Sequence, residues 1–266
     1  MTDEGFSGEI NTRVAHPARI YDYYLGGKDN FRVDRETAEL ALAATPSVRD
    51  MARQNRAYLQ RVVRYLAGEA GIRQFLDIGT GLPTQGNVHE IAQALAPEAR
   101  VVYADNDPIV LAHSRALLDA PHTTVILGDL RDPAAILADP EVGKLLDLRR
   151  PMAVLLVAVL HFIQDRDDPG GITATLRDAM APGSYLAISH ATMDMAEADA
   201  EVADKVVRAY QRSTSPVTLR SRAEIASFFG DFELVEPGLQ QIHQWRPDGP
   251  VAAVSGGIYG GVGRKP

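Results

Sequence analysis

The chain has 266 residues, 45% apolar and 23% charged, with a formal charge of −8, a composition that excludes wholesale disorder, collagen and coiled coil. It contains no cysteine, which removes disulfide frameworks, thiolate zinc sites, iron–sulfur clusters and cysteine nucleophiles. The acidic balance lacks the diffuse attraction to phosphate backbones that underlies most nucleic-acid binding, and the longest apolar run, Met152 to Leu160, is about half a membrane span. The N-terminus MTDEGFSGEINTR carries no apolar run and is no secretory signal. The expectation is a cytoplasmic protein with no nucleic-acid and no membrane partner.

In chain order, residues 1–50 are an appended helical segment with an aromatic, glycine-rich stretch, RIYDYYLGGKDNF, and no strand; residues 51–266 form one globular unit. From Ala52 to Ala67, Tyr58, Val62, Tyr65 and Leu66 recur at helical spacing, with Arg53, Arg56, Arg61 and Arg64 spread along the same stretch. Those arginines suit a solvated helix face as well as an anion site. Gln74 to Ile78 is a strand ending in glycines, followed by a helix over Val88 to Leu95 and a strand over Val101 to Ala104. The alternation continues with a helix from Pro108 to Leu118, a strand from Thr123 to Leu127, a helix over 134–147, a strand from Met152 to Leu160, a helix from Ile172 to Met180 and a strand from Tyr185 to Ser189. Strands alternating with helices specify a parallel sheet covered on both faces. After it come a polar helix from Ala196 to Gln211, a helix from Ser221 to Phe229, and strands at Phe232 to Glu236 and Gly256 to Val262, a late pair suited to closing one sheet edge.

In such sheets ligands sit at the carboxyl ends of the strands. The first strand ends in Asp77-Ile78-Gly79-Thr80-Gly81-Leu82-Pro83-Thr84. Gly79 and Gly81 permit a tight turn and close backbone approach, but Thr84 replaces the third glycine of a dinucleotide fingerprint and Pro83 stands where the helix would open. Asp105 ends the second strand, 24 residues after Gly81, where an acid can accept both hydroxyls of a ribose. The third strand ends in Gly128-Asp129. Asp107, before Pro108, reads more simply as a helix cap. His89-Glu90 lacks the second histidine of a zinc helix, so no metal site is expected.

The series DIGTGLPT, VVYADNDPIVL and GDLRDP resembles the nucleoside-binding half of class I S-adenosylmethionine-dependent methyltransferases. More narrowly, ARIYDYYLGGKDNF, QNRAYLQRVVRYLA, FLDIGTGLPTQGNVHE and IYGGVGRKP resemble a bacterial S-adenosyl methyltransferase family once classed as a domain of unknown function. The resemblance spans nearly the whole chain. It implies a Rossmann-like α/β fold: a mainly parallel seven-stranded sheet with an antiparallel edge, under an N-terminal helical cap. It implies S-adenosylmethionine as cofactor, S-adenosylhomocysteine as product, and methyl transfer to a small-molecule acceptor; a homodimer is compatible with it.

On these positions the resemblance assigns Asp77, Gly79, Thr80 and Gly81 to the methionine part of the cofactor, Asp105 to the ribose, and Asn106, Asp129 and Leu130 to the adenine. Ala158 follows at the fourth strand end, and Tyr21, Tyr24, Gly26, Gly27, Lys28 and Asn30 are assigned to the closing cap. Arg56 is set against the methionine carboxylate, with a surface salt bridge as its alternative. If the acceptor must lose a proton, His161 is the candidate base, its ordinary titration range suiting the task, and His190 is a second acceptor-side group. The fourth strand end, Ala158-Val159-Leu160, lacks the signature of enzymes that methylate base amino groups. Two other readings stay open: a protein that binds the cofactor without turnover, and a nicotinamide-dependent oxidoreductase, which Pro83 and Thr84 disfavour.

Overall fold

The computed structural model describes residues 11–83, 86–117, 120–194, 200–211, 213–250 and 257–266; Thr84, Leu118, Ala196 and Gly256, named above, lie outside them. Its sheet has eight strands. Five are parallel: β1 (Gln74–Ile78), β2 (Arg100–Asp105), β3 (Thr123–Leu127), β4 (Ala153–Val157) and β5 (Tyr185–Ala191). They are joined by α4 (Val88–Leu95), α5 (Pro108–Leu117), α6 (Pro133–Ala138), α7 (Pro140–Leu145) and α8 (Pro169–Ala179). Then β8 (Ile258–Arg264) runs antiparallel to β5, and β6 (Glu233–Leu234) and β7 (Gln240–Gln241) both pair with β8. The order along the sheet is β3-β2-β1-β4-β5-β8-β6. The eighth strand, β7, is two residues long and carries no alternation by which to recognise it.

Alternate residues of each strand divide between two cores, as strand geometry requires. Phe75, Val101, Ala153, Leu155 and Ala187 join Tyr58, Val62, Leu66 and Trp245 on one face. Leu76, Val102, Val154, Leu156 and Ile188 face Ile136, Leu176, Ile225 and Phe229 on the other. The glycines of β8 answer to this packing: a Cβ on Gly260 would lie 2.7 Å from the Tyr58 ring, whose hydroxyl donates toward Ile188 O and Gly261 O at 3.0 and 2.8 Å.

Three expected elements come out differently. The helix over 134–147 is split at Asp139, because the residue before a proline avoids the helical region; Asp139 then caps α7 by accepting from Glu141 N at 2.7 Å. The strand expected to reach Leu160 stops at Val157, where Ala158 takes a φ of +58° and a 3-10 turn follows over Leu160–Phe162. The helix expected over 52–67 begins earlier, as α3 (Val48–Arg64), and ends in a π-helical turn, Tyr65–Glu69.

A third apolar cluster lies apart from the two sheet cores. It gathers Ile20 and Tyr24 of α1 (Pro17–Leu25), Ala38 and Ala41 of α2 (Arg32–Ala44), Ala52 of α3, and Ala209 and Tyr210 of α9 (Ala200–Tyr210). His16 starts α1, its Nδ1 accepting from Ala18 N at 3.3 Å, with Pro17 at the first position. Asp34 starts α2 by accepting from Phe31 N at 2.8 Å. The last helix, α10 (Arg222–Ser227), opens with Ser221 and Glu224 capping each other. Among the described residues no helix is long and apolar enough to cross a membrane.

Candidate active site

A cavity of about 430 Å³ opens over the carboxyl ends of β1 to β5, between the sheet and the α1–α3–α9 cluster, within the usual range for small-molecule sites. At the end of β1, Gly79 and Gly81 have φ of +74° and +67°, which only glycine adopts without strain. Gly79 N and Thr80 N donate to Ala104 O at 2.8 and 3.4 Å, and Gly81 N donates to Asp105 Oδ2 at 2.8 Å. Among the described residues, nothing beyond its chain neighbours lies within 4 Å of where a Cβ of Gly81 would stand, so this turn leaves an open cradle. Asp77 beneath it is buried, and burial pushes its carboxyl up to about 7, against the opposing Thr80 hydrogen bond and Arg56 charge.

Asp105 is buried at the end of β2, with Oδ1 accepting from Asp107 N at 2.9 Å; burial raises its pKa. Asp107 caps α5, its Oδ1 accepting from Ile109 N at 3.0 Å. Its other oxygen lies 3.1 Å from Arg19 Nε, an ion pair that ties α1 to the sheet. At the end of β3, Asp129 accepts from Asn106 Nδ2 at 3.2 Å and from Arg131 Nη1 at 2.9 Å, and Leu130 is buried beside it.

Of the five arginines of α3, the four singled out by the sequence take separate roles. Arg53 pairs with Asp50 and Arg64 with Asp248, while buried Arg61 donates to Ile242 O and Trp245 O at 2.6 and 2.9 Å. Arg56 lines the cavity. Its Nη2 donates to Asn87 Oδ1 at 3.0 Å and Gly86 O at 3.3 Å, and its buried Nε has no hydrogen-bond partner among the described residues.

Tyr21, Tyr24, Asp77, Gly79, Thr80, Gly81, Asp105, Asn106, Asp129, Leu130, Ala158 and His161 also line the cavity. Gly26, Gly27, Lys28 and Asn30 do not. They belong to a turn organised by Asp22, which accepts from Asp29 N at 3.0 Å and Asn30 Nδ2 at 2.9 Å. A Cβ on Gly27 would strike that carboxylate, so the glycine serves the turn.

His190 is also outside the cavity lining. It is fully buried, with Nδ1 2.6 Å from Ala191 O and Nε2 3.0 Å from Arg220 Nη1. A guanidinium only donates, so Nε2 is the acceptor and Nδ1 carries the proton. Burial holds its pKa down to about 4. Arg220 further donates to Ile163 O at 2.9 Å and Asp165 Oδ1 at 2.6 Å, fixing the segment after β4 to that after β5.

His161 lines the cavity, but its titration range is not the ordinary one expected. Burial, with His190 and the Arg220 charge adding to it, holds its pKa well below the usual imidazole range. Ala191 N approaches its Nδ1 at 3.4 Å, which leaves the neutral ring's proton on Nε2.

Two residues of this region escaped sequence analysis. Ala158 N donates to Ser189 Oγ at 2.9 Å, Ser189 Oγ donates to Asn55 Oδ1 at 2.6 Å, and Asn55 Nδ2 donates to Tyr21 Oη at 3.1 Å, which donates to Ala52 O at 2.9 Å. This chain holds the left-handed Ala158 against α3 and α1. The signal for Asn55 was present: it shares the buried stripe of Ala52, Leu59 and Val62, where a polar residue needs a partner. Ser189 closes an apolar strand and offers no such signal.

The sheet order, the antiparallel edge and a cavity over the parallel strands' carboxyl ends define the class I methyltransferase fold. Mitomycin 7-O-methyltransferase MmcR shares it at a TM-score of 0.52 and 20% identity, over 82% of this chain and 56% of that one. The chain belongs to the S-adenosyl methyltransferase family, whose sequence profile matches residues 3–266. It is 46% identical to a DUF574 family protein from Streptomyces avermitilis, covering 97% of this chain and 100% of that one at a TM-score of 0.92. A candidate methyltransferase from Thermobifida fusca is 44% identical, with 95% of each chain covered and a TM-score of 0.89. No protein of curated function matches the sequence. Among the described residues no cluster of His, Asp and Glu is arranged to hold a metal ion.

Proposed function

We propose that the protein transfers a methyl group from S-adenosylmethionine to a small-molecule acceptor, with S-adenosylhomocysteine as product. The observation that carries this reading is the convergence of the open Gly81 cradle, Asp105 and Asp129 from three adjacent strand ends on one cavity, beside an Arg56 Nε that has no hydrogen-bond partner among the described residues. A buried donor in that state suits a carboxylate, and the donor set fits an amino-acid nucleoside without pyrophosphate. Bound, the cofactor supplies an electrophilic methyl group on a sulfonium whose sulfur keeps the bonding electron pair as the methyl leaves.

In this reading the backbone of Gly79, Thr80 and Gly81 makes room for the methionine part, Arg56 holds its carboxylate, and Asp77 supplies negative potential beneath it. Asp105 accepts from the ribose hydroxyls, Asn106 flanks the adenine, and Asp129 with Leu130 meets its edge. Tyr21 and Tyr24 cover the site, and the helices before residue 50 act as a cap on the unit formed by residues 51–266. Ala158, held by Ser189 and Asn55, sets the floor on which donor and acceptor are aligned, the main source of rate in a displacement that needs little covalent help. His161, the expected base, presents Nε2–H to the cavity with Nδ1 turned to Ala191 N, so its neutral ring does not take the proton; a proton on an acceptor atom becomes strongly acidic as that atom is methylated, and water suffices as the base.

The test is calorimetric titration with S-adenosylmethionine, S-adenosylhomocysteine and NAD. Micromolar binding of both sulfur nucleosides and none of NAD is expected; NAD binding, or silence from all three, would sink the reading. The low basicity of His161 also keeps a second reading in play, a cofactor-binding protein without turnover, which detection of any methylated acceptor excludes.

A further inference from the structure

Charge is divided unevenly around the cavity. Its Asp, Glu, Lys and Arg lining residues are Arg56, Asp77, Asp105, Asp129 and Arg131, and all but Arg56 lie in or directly after β1, β2 and β3; Arg56 reaches Gly86 and Asn87, which follow β1. The part over β4, β5 and the helical cap is lined by Met51, Phe162, Val206, Tyr210, Val217 and Leu219. Within it, His161 and Phe162 have ring centroids 4.3 Å apart, and Phe162 and Tyr210 5.9 Å, a continuous aromatic wall.

Most polar groups of this second chamber are already engaged. The Tyr210 and Tyr24 hydroxyls bond each other at 3.2 Å, Thr192 Oγ1 donates to Arg220 O at 2.8 Å, and Tyr21 and Asn55 belong to the chain that holds Ala158. One buried lining hydroxyl, Thr45 Oγ1, has no hydrogen-bond partner among the described residues. Thr45 follows α2, with Thr45 N donating to Ala41 O at 2.8 Å and Thr45 O accepting from Val48 N at 3.1 Å, so it joins the chamber from the helical cap. A ligand ion entering here would lose its hydration, and the cations that border the chamber are already paired, Arg131 with Asp129 and Asp167 and Arg220 with Asp165, whereas an apolar ring gains from burial and from the aromatic wall.

We propose that the methyl acceptor is an aromatic compound, uncharged at neutral pH, that carries a single hydroxyl on an otherwise apolar body and seats it in this second chamber, with Thr45 Oγ1 as the fixed hydrogen-bond partner. The proposal rests on the methyl-transfer reading above. A hydroxyl of this kind stays neutral at pH 7, having a pKa near that of tyrosine, about 10. On methylation its oxygen forms the new bond to carbon, the S–CH3 bond breaks with its electron pair remaining on sulfur, and the hydroxyl proton passes to solvent water.

The experiment uses the full chain. S-adenosylhomocysteine binding is measured first, and the saturated protein is then titrated with 2-naphthol and with 6-hydroxy-2-naphthoate, which adds one carboxylate. Binding of 2-naphthol at least tenfold tighter than of the carboxylate is expected. Leu219→Lys should lower 2-naphthol affinity about tenfold and narrow or reverse the preference, with S-adenosylhomocysteine affinity unchanged. Thr45→Val should weaken 2-naphthol about fivefold, the worth of one hydrogen bond. If S-adenosylhomocysteine binds but the carboxylate binds as well as 2-naphthol, or neither binds, the acceptor proposal is overturned and the cofactor reading stands. If S-adenosylhomocysteine itself does not bind, both fall.

Discussion

The two halves of the cavity are built by different means. Over β1, β2 and β3 the walls are backbone turns and carboxylates, each acid bonded both to a near neighbour, Asp105 to Asp107 N and Asp129 to Arg131, and to the adjacent strand end, Asp105 to Gly81 N and Asp129 to Asn106. Over β4 and β5 the walls are side chains from distant segments, with Asn55 and Ser189 separated by 134 residues and Arg220 and His190 by 30.

The comparison predicts that the distant-segment half depends more on single side chains. Arg220→Met should show the largest effect, lowering the unfolding free energy by about 3 kcal/mol in urea titration, because His190 and the carbonyls of Leu160 and Ile163 lose their donor. That is the low end for a buried charged group, since Asp165 is itself exposed. Asn55→Leu should cost about 2 kcal/mol by leaving the Ser189 hydroxyl without its acceptor. A loss under 0.5 kcal/mol in both variants would break the contrast.

In the backbone-built half the effects should fall on binding. Asp105→Ala should weaken S-adenosylmethionine at least tenfold by calorimetry, about 1.4 kcal/mol, with the far-ultraviolet spectrum retained; unchanged affinity removes Asp105 from the site. Asp77 should appear as a pH slope. Its folded pKa, about 7, stands above its ordinary 3.8, so the native state holds the extra proton between those values. Stability contributed by this group is therefore present below pH 4 and is lost as pH rises toward 7. Asp77→Asn should flatten that slope and gain on the wild type at pH 8 relative to pH 4.5, with urea midpoints as the measure; parallel curves for the two proteins would contradict it. The smallest effect belongs to the surface: Arg32→Ala, which breaks an exposed pair with Glu36, should leave the midpoint unchanged.

Legibility followed the same division. The β1–β3 strands, the glycine turn and the acids after β2 and β3 lie in short, contiguous motifs, and the helix cap at Asp107 could be read from Asp107-Pro108 alone. His190 was placed on the acceptor side because it ends a strand, yet Arg220, far along the chain, draws it into a buried bond and away from the cavity. The family resemblance assigned Gly26, Gly27, Lys28 and Asn30 to the closing cap, although Gly27 answers to the Asp22 carboxylate and Asp29 N and Asn30 bond it. His161 was located on the cavity wall, but its basicity depends on how much water the folded chain leaves around it.

The sequence by itself determined the alternation of strands and helices, the parallel sheet and the glycine turn after β1, because each is set by periodicity or by interactions a few residues long; the antiparallel edge came from the family resemblance. Only the tertiary structure decided that β4 ends at a left-handed Ala158, that α3 divides its arginines among cavity, core and surface, and that the second chamber is apolar and nearly free of unpaired polar groups. Those features arise where segments 30 to 200 residues apart meet, as at Tyr58 and Gly261 or Arg220 and His190, and burial at such meetings sets hydrogen-bond partners and protonation that no local pattern encodes.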